Sequence, residues 1–139
     1  MNIVFDTNIF LAATNKSGSF CRSLFYEIIR HPNKYDLYIS AAILFELNEN
    51  ANELIKKGFV NKTEFQALAK MIYRKSHLTI IKDRLTVVKA DPDDDKILEC
   101  AAACHADLII TMDQHLLKLK TFRSTGIIHP KTFLYILEK

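Results

Sequence analysis

The sequence predicts an α/β fold in which helices cover both faces of a mostly parallel sheet. Short apolar runs typical of buried strands alternate with longer stretches in which apolar residues recur at helical spacing. Only three Gly and three Pro occur in 139 residues, which favours regular elements over a loop-rich all-β fold. This length can bury one core without disulfides or a structural metal, so we expect a single domain over residues 1–139.

The predicted strands are short apolar runs. The runs that suit a buried parallel sheet are residues 2–5, 37–39, 108–110 and 127–128. Two further runs, 78–81 and 85–88, are rich in β-prone residues and are predicted to be strands on that ground.

The predicted helices occupy the stretches between these runs. Ser40 is a good N-cap, His31 and Pro32 end the helix before it, and Pro130 suits a first helical turn. The predicted helices are a stretch from Thr7, residues 19–30, a helix capped by Ser40, residues 63–74, a helix capped by Asp93 or Asp94 that runs to about Ala103, residues 114–119, and a helix from Pro130.

Composition points to a soluble globular protein, with 49% hydrophobic and 25% charged residues. The net charge of +3 permits a nucleic-acid partner without requiring one. The N-terminus lacks the pattern of a signal peptide, and no apolar stretch approaches the roughly 18 residues of a spanning helix. We therefore expect a cytoplasmic protein with no membrane partner, and the odd number of cysteines, three, agrees with a reducing compartment.

Acidic residues follow the predicted strands and precede one helix. Asp6 directly follows the first strand, Asp113 lies just beyond the strand at 108–110, and four aspartates fall within residues 91–95. Parallel sheets bind ligands at the carboxyl ends of their strands, so these side chains can meet. Crowded carboxylates repel each other, and the usual reason to find them is a hard cation such as Mg²⁺ or Mn²⁺. Glu46, in an apolar stretch after Ser40, is a further candidate ligand.

Four segments of the chain carry a resemblance to a known family. They are Phe5-Asp6-Thr7-Asn8, residues 40–46, residues 91–96 and residues 106–113. In this order they resemble the PIN-domain nucleases, and more closely the PIN-family toxins of toxin–antitoxin pairs. The resemblance extends from Met1 to residues 130–134, which is nearly the whole chain.

The resemblance implies a three-layer α/β/α sandwich around a parallel sheet, with metal-dependent endoribonuclease activity using Mg²⁺ or Mn²⁺. It implies support of the site by Asn8 and Thr111. For a toxin it further implies an RNA substrate, an antitoxin protein as partner and commonly a homodimer. The acidic residues to which it assigns metal-binding and catalytic roles are Asp6, Glu46, Asp94 and Asp113.

Helical register selects among the aspartates of residues 91–95. Counting back from the small residues of the following helix favours Asp94 as the ligand. Asp91 is then a turn residue, and Asp93 caps the helix or supports the site. Asp95 and Glu99 are interpreted as first-turn and solvent-face charges.

Simpler interpretations exist for several of these residues. Asp6 and Asp113 could each serve only as a helix cap. Cys100, Cys104 and His105 have a spacing that suggests zinc, but a structural site needs four ligands and no partner motif occurs. The two cysteines are therefore expected to pack as small apolar side chains.

Two other functions compete with the nuclease hypothesis. Phosphatases of the haloacid dehalogenase type also place Asp after the first strand, but they require a second Asp two residues later, where this chain has Asn8. The other is a PIN-like module that binds RNA or an antitoxin without cleaving RNA. A nuclease assay with and without EDTA separates this module from an enzyme.

Overall fold

The computed structural model describes residues 1–14, 20–88 and 91–137. Within these residues, six strands form one sheet in the order β3-β2-β1-β4-β6-β5, in which only β5 is antiparallel to its neighbour. The strands are β1 (Asn2–Phe5), β2 (Asp36–Ile39), β3 (Ser76–Leu78), β4 (Leu108–Ile110), β5 (Thr121–Phe122) and β6 (Thr125–Ile128).

Helices flank this sheet to give the predicted three-layer α/β/α arrangement. They are α1 (Thr7–Ala13), α2 (Phe20–Arg30), α3 (Ala41–Lys56), α4 (Lys62–Lys75), α5 (Asp95–Cys104), α6 (Gln114–Leu117) and α7 (Pro130–Leu137). α5 packs on β1, β2 and β4, whereas α2 packs on β2, α1 and α7. Among the described residues, no helix has the length and apolarity needed to cross a bilayer.

The two central strands carry the most buried residues and end at the same level. Val4 pairs with Ile109 and Phe5 with Ile110, and all four side chains are at most 1% exposed. The amide of Asp6 then donates to the carbonyl of Ile110 at 3.0 Å. Tight burial of β1 and β4 therefore fixes where the residues after both strands lie.

The cap at Ser40 and the end of the preceding helix are as the sequence predicts. Ser40 Oγ accepts a hydrogen bond from the Ile43 amide at 3.2 Å at the start of α3. α2 ends at Arg30, directly before His31 and Pro32. The predicted start of that helix at Ser19 lies outside the described residues.

Besides shifts of one or two residues at the starts of β2 and β6, three strand assignments differ from the sequence prediction. The third strand is Ser76–Leu78, so it begins and ends earlier than residues 78–81. Residues 85–88 form no strand. The amides of Leu85, Val87 and Val88 donate to side-chain carboxylates instead of to a neighbouring strand. β5 was not predicted, since it is two residues long and the positive φ angles beside it belong to Lys120 (61°) and Arg123 (55°), not to Gly or Asn.

The prediction that Asp95 and Glu99 face solvent was wrong. Both residues are 7% exposed. Asp95 Oδ1 accepts from the amides of Val87 and Val88 at 3.0 and 2.9 Å, and Glu99 Oε2 accepts from the Leu85 amide at 2.8 Å. These two carboxylates therefore fasten an irregular segment onto α5, a role that no local sequence signal indicates.

Candidate metal centre

Thr111 links two of the predicted acidic residues. Its Oγ1 donates to Asp6 Oδ2 at 2.7 Å and accepts from the Asp113 amide at 2.9 Å. Thr111 is fully buried, so this hydrogen-bonded chain is shielded from water. Thr111 thus fixes the orientation of the Asp6 carboxylate, and its support of a metal site stays a prediction.

Asp6 and Asp113 both occupy helix N-cap positions, but they use their side chains differently. Asp6 makes no side-chain capping bond to α1. Asp113 Oδ1 accepts from the amides of His115 and Leu116 at 2.7 and 3.3 Å, so it caps α6. Capping engages Oδ1 of Asp113 and leaves Oδ2 as a candidate ligand atom. The interpretation of Asp6 as only a helix cap has no support, because its side chain makes no capping bond to α1.

A 3₁₀ turn over Pro92–Asp94 brings Asp94 to the same place. Asp91 caps this turn, accepting from the Asp93 amide at 3.2 Å, as its predicted turn role requires. Asp94 is 6% exposed, and its Oδ2 has no hydrogen-bonding partner among the described residues. A buried carboxylate oxygen without a donor is costly, so this atom is one that a bound cation would satisfy.

Candidate ligand atoms of Asp6, Asp94 and Asp113 all lie within 4.8 Å of one another. Two full charges at about 5 Å repel by roughly 3 kcal/mol at an effective dielectric near 20. Burial, followed by the charges of Asp113 and Asp91, raises the pKa of Asp94 to about 8. Burial is also the main cause that raises the pKa of Asp6, and the Asp113 charge adds to it against the hydrogen bond from Thr111. The cluster thus suits a divalent cation, whose two positive charges would offset most of the negative charge of the three carboxylates.

Glu46 lies in the same cleft but outside this three-residue cluster. Its Oε2 pairs with the ammonium group of Lys96, and both side chains are largely covered. Lys96 was not singled out from the sequence, because a lysine in the first turn of a helix ordinarily lies on the solvent side. Its Nζ is also 3.9 Å from Asp93 Oδ1, whose side chain is 83% exposed.

The cleft around the cluster has a volume of about 360 Å³ and is strongly acidic. Asn8 lines it from α1 and is exposed, whereas Asp93 lies at its edge. Asp93 caps neither the 3₁₀ turn nor α5, so that part of its prediction was wrong, because the two N-cap positions belong to Asp91 and Asp94. The acidic residues that line the cleft are Asp6, Glu46, Glu49, Asp91, Asp93, Asp94 and Asp113.

The cysteines play no part in this cleft. Cys100 and Cys104 are buried in the core, as expected of small apolar side chains. His105, which follows α5 with φ of 52°, is exposed. Within the described residues, the one group of three or more potential metal-ligating side chains is the aspartate cluster.

Comparison with known proteins agrees with this geometry. A sequence model of the PIN domain matches residues 2–115. The chain belongs to the PIN domain family. Matching curated protein sequences were sought and none was found.

Two solved structures are similar in fold to this PIN domain. A chain of VapBC2 from Rickettsia felis, bound to a DNA fragment from their promoter, has a TM-score of 0.62 and 16% identity, over 93% of this chain and 98% of that chain. PAE2754 from Pyrobaculum aerophilum has a TM-score of 0.66 and 16% identity, over 99% and 96% of the two chains. At this identity the likeness shows a shared fold.

Proposed function

We propose that this PIN domain is a divalent metal-dependent endoribonuclease. The observation that carries the proposal is the carboxylate of Asp94, whose Oδ2 is unpartnered among the described residues. One oxygen of this carboxylate lies within 4.8 Å of carboxylate oxygens from two other parts of the chain. Such an arrangement is unfavourable without a cation, because the carboxylates repel one another and Asp94 Oδ2 lacks a donor. The match to the PIN domain supports a nuclease in particular.

Asp6, Asp94 and Asp113 would hold the ion, Mg²⁺ or Mn²⁺. When bound, the ion supplies a Lewis acid that polarises the phosphodiester and lowers the pKa of the attacking water. Thr111 keeps Asp6 oriented, and the α6 amides keep Asp113 in place, so two ligands are positioned before the ion arrives. Glu46 stands at the edge of the cleft and would complete the set directly or through water.

The role of Lys96 follows from charge. It is the one cation that lines this acidic cleft among the described residues. It holds Glu46 in place, and it offers a positive group where an RNA phosphate would arrive.

The side chains that hold the ion need no proton transfer of their own, which separates this chemistry from metal-independent ribonucleases.

We further propose that the chain is the toxin of a toxin–antitoxin pair, with an antitoxin protein as partner and a homodimer as its assembly. Support for the toxin role and the antitoxin partner comes from the similar fold of a chain in the VapBC2 structure. A small neighbouring reading frame that encodes a DNA-binding protein would strengthen this assignment.

The test is RNA cleavage by the purified protein. We expect single-stranded RNA to be cut with Mg²⁺ or Mn²⁺ and to remain intact in excess EDTA. Cleavage that persists in EDTA would contradict the metal mechanism. Binding of RNA without cleavage in either metal would instead identify a non-catalytic PIN module.

A further inference from the structure

A groove separates α3 from α4 beside the acidic cleft. Residues 57–61 connect the two helices, and so short a connection is typical of an antiparallel helical hairpin. The cavity between them has a volume of about 700 Å³. It is larger than the acidic cleft, and the residues that line it carry a different charge.

The groove is basic. Lys56, Lys62 and Lys70 line it, and no acidic residue does. In the described part of the chain these three lysines form no salt bridge. The amides of Asn48 and Asn52 add uncharged hydrogen-bonding groups along the α3 side. An anionic partner with additional donors and acceptors fits this surface.

Two exposed aromatic rings lie on these surfaces, one in the acidic cleft and one in the groove. Phe45 is 65% exposed and lines the cleft, while Tyr73 is 67% exposed and lines the groove. Phe45, Asn48, Asn52 and Lys56 follow each other at helical spacings of three or four, so they share one face of α3. One face of α3 therefore carries residues of the acidic cleft at its start and residues of the groove beyond it.

We propose that Phe45 and the α3–α4 groove bind single-stranded RNA, as an extension of the strand whose phosphate enters the metal centre. The inference rests on the proposed function. Exposed aromatic rings offer stacking platforms for unpaired bases, and spaced lysines follow a phosphate backbone. An acidic protein segment would satisfy the lysines, but it would not account for the aromatic rings or for a helix face shared with a phosphate-binding centre. RNA accounts for all three.

The test measures RNA binding without cleavage. An Asp6→Asn background prevents turnover, and a labelled oligouridylate serves as an unstructured strand whose anisotropy reports binding. We expect Lys62→Gln/Lys70→Gln to weaken binding at least about tenfold. The slope of log K against log salt concentration should also fall by about 1.4, since each lost contact to single-stranded nucleic acid removes about 0.7. Lys34→Gln is the matched control, because the exposed Lys34 lines neither the groove nor the acidic cleft, and it should change neither quantity.

Phe45 is tested in the same background. Phe45→Leu should weaken binding about tenfold with an unchanged salt slope, because stacking and not charge is lost. Phe45→Tyr keeps an aromatic face and should bind as the parent does. Thermal melts check that each variant is folded, which we expect because the substituted side chains are exposed.

The outcomes separate this inference from the nuclease proposal. If wild type cleaves RNA but the groove variants bind and cleave as it does, the groove is not the RNA path and the inference is overturned. If wild type binds through the groove without cleaving, the inference stands and the nuclease proposal fails. If the groove variants lose binding to an acidic protein partner but bind RNA as the parent does, the groove belongs to that partner and the inference is overturned.

Discussion

Two buried aspartates at the start of α5 differ in how their carboxylates are satisfied. Asp94 and Asp95 are 6% and 7% exposed. Asp95 accepts two backbone hydrogen bonds, from Val87 and Val88, whereas Asp94 Oδ2 has no donor among the described residues. The pKa of Asp94 is raised to about 8, with burial as the largest cause. Burial is therefore common to both residues, and unsatisfied hydrogen-bonding capacity is what distinguishes the candidate ligand.

The same contrast applies to the two regions around these residues. Asp95 and Glu99 hold residues 85–88 against α5 through backbone amides, so their charges stabilise the fold. Asp6, Asp94 and Asp113 converge instead on one another, so their charges oppose folding until a cation binds. One acidic region is structural and the other is suited to a ligand, although both flank the same helix.

The largest expected effect is on catalysis. Asp94→Asn should lower metal-dependent RNA cleavage by at least about 100-fold, because even outer-shell substitutions at metal sites cost 10- to 100-fold. Asp93→Asn should leave the rate within a few-fold, since the Asp93 side chain is 83% exposed at the edge of the cleft. Initial rates in saturating Mg²⁺ measure both. A severe loss with Asp93→Asn and a mild one with Asp94→Asn would mean that Asp93 is the ligand.

Much of this site could be predicted from the sequence because strand ends are local features. Asp6 and Asp113 follow apolar runs, and parallel strands carry the residues beyond them to a shared edge. Helical register likewise favours Asp94 over Asp93, because neighbours on a helix point about 100° apart. The structure brings Asp6, Asp94 and Asp113 together and places Glu46 beside them.

What could not be predicted depends on contacts that are remote in sequence. Lys96 pairs with Glu46 on another helix, and no spacing rule links the two residues. The sequence indicates only an ordinary first-turn charge at Asp95. The amides that donate hydrogen bonds to it belong to a segment predicted to be a strand, so its partners could not be foreseen. The strand prediction for residues 85–88 was wrong because β propensity does not show which groups the backbone amides will bond. Here those groups are carboxylates of α5 and not a neighbouring strand.

The next effect in size is stabilisation by metal. At a Mg²⁺ concentration of about 100 times Kd, wild type should gain roughly 2.7 kcal/mol of unfolding free energy. Asp94→Asn should gain little, although it should melt higher than wild type without metal, because its folded state no longer has to charge or protonate a buried carboxyl at this position. Asp95→Asn is the control and should keep the gain. An intact Mg²⁺ shift in Asp94→Asn, or a lowered metal-free melting temperature, would make Asp94 a structural residue.

A smaller loss of stability is expected at Asp95. Asp95→Ala removes the acceptor for the amides of Val87 and Val88 and should lower the free energy of unfolding by about 2 kcal/mol, independently of metal. Asp95→Asn keeps an acceptor oxygen and should lose less. Urea denaturation in EDTA and in Mg²⁺ measures both variants. An Asp95→Ala protein as stable as wild type would show that the segment 85–88 does not depend on this carboxylate.

The effect expected to be smallest per step of the variable changed is the dependence of metal-free stability on pH, which follows from the raised pKa of Asp94. The unfolded chain releases this proton near the ordinary value of 3.8, whereas the folded chain holds it up to about pH 8. Between these values the folded state binds more protons, so stability is fully present below about pH 4 and falls as pH rises towards 8. One proton gives a slope of at most about 1.4 kcal/mol per pH unit, and solvent screening reduces it. Asp94→Asn should remove this part of the slope, whereas Asp95→Asn should keep it. Denaturation in EDTA at several pH values gives the three curves, and parallel curves for wild type and Asp94→Asn would show that Asp94 does not carry the proton.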